Sequence, residues 1–160
     1  MQSGFDGLFP RGGQRSFWKS QYLDALSDDA IDTLTALAEA RPTPLAMVEV
    51  MQMGGAIAEV DPEATAFAQR TAPFLVAVDS NWSEPIDDAM NVAWVRAGWD
   101  RLTPYGSGEV YLNFSGRDGA APDVGADTAL GRNLARLARV KAAYDPGNAF
   151  RFNHNIAPTG

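Results

Sequence analysis

Hydrophobic and polar positions alternate, cluster and spread along this chain in a way that marks out its elements. Residues 16–23 carry aromatic side chains at the start of a strand. Ser27 then precedes Asp28 and Asp29, an N-cap followed by acidic first-turn residues, and Ile31, Leu34, Leu37 and Ala38 form one helical stripe. Arg41-Pro42-Thr43-Pro44 closes that helix. Residues 45–53 form an apolar run of strand length, and Gly54-Gly55 permits a turn or bulge before residues 56–60 continue or pair back. Asp61-Pro62-Glu63 reads as the start of a short helix. Residues 74–78 read as a buried strand. Ser83-Glu84-Pro85 opens a longer helix, with Ile86, Met90, Ala93, Trp94 and Ala97 on its apolar face. After a loop between Gly106 and Gly108, the alternation of Val110, Leu112 and Phe114 with Tyr111 and Asn113 predicts a strand. Residues 117–126 are a polar loop. A final helix places Leu130, Leu134, Leu137 and Val140 on one stripe.

Strands interleaved with helices would suit a parallel sheet, but the short segment between Met53 and Ala56 favours a hairpin, and no glycine-rich phosphate fingerprint follows any strand. The expectation is therefore α+β, a mostly antiparallel sheet with helices packed on one side. The 160 residues, 46% of them hydrophobic, suffice for one domain with a sizeable core. A formal charge of -7 argues against a nucleic acid or an anionic membrane surface as partner. No run approaches the roughly 20 apolar residues needed to span a bilayer, and no leader is visible, so a soluble protein with a cytoplasmic location is the default. With no cysteine there is neither a disulfide nor a thiolate nucleophile. Asp28-Asp29 and Asp87-Asp88 look like dipole partners of helix starts, and no metal site is expected. The lone His154 lies between two asparagines and has no second histidine or nucleophile beside it.

The closing stretch, YDPGNAFRFNHNIAP over residues 144–158, ends a helix with a Pro-Gly turn and runs on through two asparagines. It resembles the C-terminal signature of the berberine-bridge-enzyme-like, FAD-linked oxidases. The likeness continues in FWKSQYL (17–23), MGGAIAEVDPEATAFAQR (53–70), GEVYLNFSG (108–116) and RLARVKAAYDP (136–146), in the family's order. The resemblance implies that residues 1–160 form a single, possibly incomplete, substrate domain, with 117–160 as the family's C-terminal segment. It also implies an antiparallel sheet backed by helices, and finds no counterpart here of the family's flavin-cradling N-terminal domain. The sheet is then expected to be short of strands, leaving an exposed edge or an edge that a partner completes.

By the same resemblance FAD is the cofactor, with Asn113, Asn153 and Asn155 near the flavin ring and Tyr111 as the candidate catalytic residue. Tyr22, Tyr105 and Phe114 are the candidate substrate-pocket residues. Several members place a tyrosine at the position of Phe114, where a phenol acts as base; phenylalanine accepts no proton, so Tyr111, Tyr105 or Tyr22 takes that role or the chemistry differs. On the residues alone, the C-terminal amides equally suit a terminal strand satisfying its own backbone, and Phe114 equally suits a core position. Trp82, Trp94 and Trp99 read as core or interface anchors.

The preferred reading is the substrate-side portion of a flavin-dependent oxidoreductase that oxidises a small-molecule alcohol or amine by hydride transfer, inactive without a flavin-binding domain or chain. The alternatives are a cofactor-free binding or cyclase module built on the same scaffold, and an interaction domain that self-associates.

Overall fold

A computed structural model describes residues 13–114, 126–152 and 154–159. Three strands form its sheet: β1 (Arg15–Leu23), β2 (Met47–Gln52) and β3 (Phe74–Trp82), in the order β1-β3-β2. Both pairings are antiparallel, with Phe17 opposite Ser80, Tyr22 opposite Leu75 and Glu49 opposite Ala77. Among the described residues five α-helices accompany the sheet: α1 (Asp28–Glu39), α2 (Ala56–Glu59), α3 (Asp88–Leu102), α4 (Ala126–Leu130) and α5 (Leu134–Tyr144).

Because side chains alternate along a strand, the register sorts the sheet into two faces. Phe17, Leu23, Val76, Val78 and Trp82 share one face and pack with Leu34 and Leu37 of α1 and Val95 and Leu102 of α3. This is the principal core, and it puts the two long helices on the same side of the sheet, as the α+β expectation requires. Gly98 lets α3 come close: a Cβ built on it would lie 3.0 Å from Val78 Cγ1 and 3.3 Å from Leu37 Cδ2. Ser80 Oγ donates to Asn91 Oδ1 at 2.6 Å, and Asn91 Nδ2 donates to the Asp87 carbonyl at 2.8 Å, so the polar groups buried at this interface are paired. Trp82 Nε1 donates to Asp88 at 2.7 Å, and Arg15 grips the same carboxylate with two nitrogens.

The Ser27 cap holds as expected, its Oγ accepting from Ala30 N at 3.3 Å. Ser27→Ala should cost about 1 kcal/mol, read as a lower urea midpoint.

The structure corrects several local expectations. In α1 the buried face is Ala30, Leu34 and Leu37, while Ile31 is exposed. In α3 the buried positions are Asn91, Val95, Gly98 and Leu102, whereas Ile86 is 88% exposed and Met90 also faces solvent. Residues 56–60 do not pair back on β2: Gly55, at φ 62°, turns the chain into the single helical turn α2, and β2 pairs with β3 instead. Asp61 starts a turn and not a helix, its Oδ1 accepting from Glu63 N at 2.7 Å and its carbonyl from Ala64 N at 2.9 Å. The polar 117–126 loop lies almost wholly outside the described residues.

Candidate functional site

The other sheet face carries Trp18, Ser20 and Tyr22 from β1, Leu75, Ala77, Asp79 and Asn81 from β3, and Met47, Glu49 and Met51 from β2. At its Tyr22 end the chain folds back over it. Residues 106–111 run along the outer side of β1, with Tyr22 N donating to Glu109 O at 3.2 Å and Ser107 N to Tyr22 O at 2.8 Å. Ser20 Oγ then takes over: it accepts from Tyr111 N at 3.3 Å. With the Tyr111 amide held by a side chain, the predicted strand over 110–114 does not form. The chain instead closes a 3-10 turn, Leu112–Phe114, in which Phe114 N donates to Tyr111 O at 2.9 Å. The consequence is geometric. In a strand, residues 111 and 114 would point to opposite faces; in this turn their rings meet at 5.1 Å, edge to face, and Phe114 also lies 5.2 Å from Trp18.

Beside this turn is a cavity of about 240 Å³ lined by Tyr22, Phe67, Gln69, Val110, Tyr111 and Asn113 among others. Phe67 meets Tyr111 edge to face at 6.0 Å, with the Arg70 guanidinium 4.7 Å from the Phe67 ring centre. Asn113 Nδ2 donates to the Tyr111 hydroxyl at 2.7 Å. Tyr22 is 0% exposed, and its hydroxyl has no hydrogen-bond partner among the described residues. Burial, then the neighbouring Tyr111 and Glu109, push the Tyr22 phenol well above its ordinary value. It therefore stays protonated, a hydrogen-bond donor and not a base.

Further along the same face Asp79 is also 0% exposed. Asn81 Nδ2 donates to its Oδ1 at 3.3 Å, and its Oδ2 has no partner among the described residues. Burial, reinforced by the charge of Glu49, pushes its carboxyl up to about 7. Burial raises Glu49 as well.

The structure thus gathers Tyr22, Tyr111, Asn113 and Phe114 around one cluster of turn and cavity. Tyr105 packs instead against the helix-side core, away from the cavity. Asn155 does not line the cavity either, although its Oδ1 is buried without a partner. Asn153 lies outside the described residues. Sequence reasoning missed Ser20 as the holder of Tyr111, Phe67 and Gln69 as cavity wall, and the Asp79–Glu49 pair. The one available signal was Asp79 closing an apolar run. Trp82 lies in the helix-side core and Trp94 packs against it, while Trp99 Nε1 donates to Ser20 O at 3.2 Å.

Two comparisons address ancestry. The family model described as berberine and berberine-like matches residues 110–157. An uncharacterized FAD-linked oxidoreductase of Bacillus subtilis strain 168, YgaK, is 35% identical over 137 residues, which is 83% of this chain and 29% of that protein. The chain belongs to the berberine-bridge-enzyme-like, FAD-linked oxidoreductases. Solved members share the fold. A glycopeptide hexose oxidase complexed with teicoplanin is 29% identical with a TM-score of 0.76, covering 93% of this chain and 34% of that one. BBE-like #28 from Arabidopsis thaliana, at 20% identity, has a TM-score of 0.81 over 94% of this chain and 35% of its own. The chain therefore spans about a third of the length of these berberine-bridge-enzyme-like relatives.

FAD is the cofactor of the relatives, and the described residues fit one side of it. A ring needs an apolar wall and a polar atom beside it, which the aromatic turn and the orphan Tyr22 hydroxyl offer. A diphosphate needs helix N-termini or a basic cradle. The long helices α1 and α3 open instead with Asp28, Asp29 and Asp88, which repel an anion. The cavity also falls below the roughly 300 Å³ at which pockets for drug-sized ligands begin. Among the described residues no helix is long and apolar enough to cross a membrane, and no three His, Asp or Glu side chains gather to hold a metal ion.

Proposed function

We propose that this chain forms the substrate-facing wall of an FAD-dependent oxidoreductase that oxidises a small-molecule alcohol or amine, and that the flavin's diphosphate is held by another part of the protein or by a partner chain. The observation that carries the reading is the cavity beside the Tyr111–Phe114 turn, apolar in its walls, with the unpartnered Tyr22 hydroxyl in its lining. A buried hydroxyl without a partner costs stability, and a substrate oxygen or nitrogen that accepts its hydrogen bond removes that cost. When bound, FAD supplies the electron-pair acceptor. The chain's own residues bind and orient: Phe67 and Tyr111 wall the ring of a substrate, Tyr22 donates to its polar atom, and Asn113 fixes the Tyr111 hydroxyl. The glycopeptide hexose oxidase among its neighbours supports a sugar-like alcohol as one substrate class. Partnership with a flavin-binding domain and a location in the cytoplasm remain parts of this proposal.

The first test is optical. The purified chain should leave FAD fluorescence nearly unquenched, and should support substrate-dependent bleaching of the flavin band once a flavin-binding part is supplied. Ligand binding indifferent to FAD would move the assignment to a cofactor-free module, and self-association without any ligand to an interaction domain. A second result separates function from folding. Tyr22→Phe should leave stability unchanged or raise it by up to about 1 kcal/mol, because it deletes an orphan hydroxyl, yet weaken substrate binding roughly tenfold. Both are read from one protein preparation, by urea melting and by ligand titration.

A further inference from the structure

Gln69 is 7% exposed and lines the cavity beside the aromatic turn, yet its side-chain amide makes no hydrogen bond among the described residues. An amide taken out of water without a partner costs stability, and buried amides are ordinarily paired. Unlike the Tyr22 hydroxyl, the Gln69 nitrogen and oxygen are not sealed off, and the space they open into is the cavity that the residue lines.

The segment that carries Gln69 is braced on both sides of it. Before it, Asn133, 3% exposed at the start of α5, donates through Nδ2 to Pro62 O at 2.8 Å and to Thr65 O at 3.0 Å, and Arg136 donates to Glu63 O at 2.7 Å. Around it, Thr65 Oγ1 accepts from Phe67 N at 3.2 Å and from Arg70 Nη2 at 2.8 Å, while Arg70 Nε donates to Phe67 O at 3.2 Å and the guanidinium covers the Phe67 ring. After it, Pro73 O accepts from Met53 N at 2.8 Å. None of these bonds reaches the Gln69 amide. A fixed backbone around an unpaired polar side chain is the arrangement that holds a group ready for a ligand.

Tyr22 supplies the complement from the opposite element, β1. Its phenol is a donor, whereas the glutamine amide brings one acceptor and two donors. A ligand in the cavity therefore lies against Phe67, Val110, Tyr111 and Leu130 and meets two polar groups from two elements.

We infer that Gln69 is a specificity-determining residue: its amide binds a second polar group of the substrate, a hydroxyl or carbonyl other than the one that meets the Tyr22 hydroxyl, so the site selects ring-sized alcohols or amines carrying two polar groups over those carrying one. This rests on the reading of the cavity as the substrate site. A ligand with a single polar group leaves either the Tyr22 hydroxyl or the Gln69 amide unpaired, and that unmet group discriminates against it.

The test is a nuclear magnetic resonance titration of the isotopically labelled chain with two probes that differ by one hydroxyl, benzyl alcohol and its para-hydroxy derivative, read at the amides of residues 66–70 and 110–113. The native chain should bind the para-hydroxy probe about tenfold more tightly. Gln69→Leu keeps the bulk of the side chain and removes its amide; it should bring the two affinities within about twofold of each other at an undiminished urea midpoint. Gln69→Met repeats the experiment with an unbranched side chain, in case leucine does not fit the wall. A midpoint that falls with leucine and methionine alike would mark a structural amide and overturn the assignment. Equal affinities in the native chain, or a preference that survives both substitutions, would overturn the role of Gln69 and leave the cavity standing as a substrate site. If neither probe moved these amides in the native chain, this inference and the cavity reading would fall together.

Discussion

Asp79→Asn should resist urea better than the native protein at pH 8 and no better at pH 4. The carboxyl sits near 7 in the folded chain against an ordinary value of 3.8. Below pH 4 folded and unfolded chains both hold the proton, and Asp79 contributes no difference. As pH rises from 4 to 7 the unfolded chain releases its proton while the folded chain keeps it, so the native state progressively loses stability relative to acid conditions. Above 7 the folded chain carries a buried charge beside Glu49, and the full penalty is present. Asparagine never ionises, so it escapes a cost of roughly 4 kcal/mol at pH 8. The check is a pair of urea midpoints for each protein at the two pH values. If the variant proved weaker at pH 8, the carboxylate would have a cationic or donor partner in solution, and the burial argument would fail.

The second large effect concerns Gly98. Replacing it with leucine should cost 3 kcal/mol or more, about the upper end of overpacking penalties, because the first added carbon already lies 3.0 Å from Val78 Cγ1 and 3.3 Å from Leu37 Cδ2. Alanine is the informative comparison. It adds that first carbon only, and gains about 1 kcal/mol of helix propensity that offsets much of the crowding. Gly98→Ala should therefore lie within about 1 kcal/mol of native. Combining it with Val78→Ala, which clears the contact, should give a double variant more stable than the two single losses predict. A double-mutant cycle with no coupling would show that α3 shifts bodily to relieve the contact.

Much of this fold was legible in the chain because short-range signals decided it. Ser27 with Asp28 and Asp29 set the start of α1, and the apolar runs at β1, β2 and β3 placed every strand of the sheet. Where the reading slipped, buried polar residues or a glycine stood in the interface. α3 turns Asn91 and Gly98 inward, so its buried stripe looks weak, and the more apolar stripe through Ile86 and Met90 faces solvent. β3 continues past Val78 through Asp79, Ser80 and Asn81, three polar residues that resemble a loop until Asn91 and Leu45 are seen to meet them. The site was legible in its residue types and not in its shape. Tyr22, Tyr111, Asn113 and Phe114 were named from the family likeness, but the turn that brings the rings of Tyr111 and Phe114 together depends on Ser20, ninety-one positions away from Tyr111 in the chain. No local pattern reports such a long-range bond. Asp79 and Glu49 were missed for the same reason, since their adjacency exists only once β2 and β3 are in register.

The strand order has a consequence for how the molecule opens. β3 is laddered on both sides, to β1 along its whole length and to β2 over six residues. Its amides point alternately to the two neighbours, and those bonded to β1 reach solvent only when β1 lets go, which amounts to unfolding the domain. β2 has β3 on one side and no strand on the other among the described residues, so a brief fraying frees it. Deuterium should therefore enter residues 47–52 within minutes, while the amides of residues 74–82 that bond to β1 stay protonated until global opening.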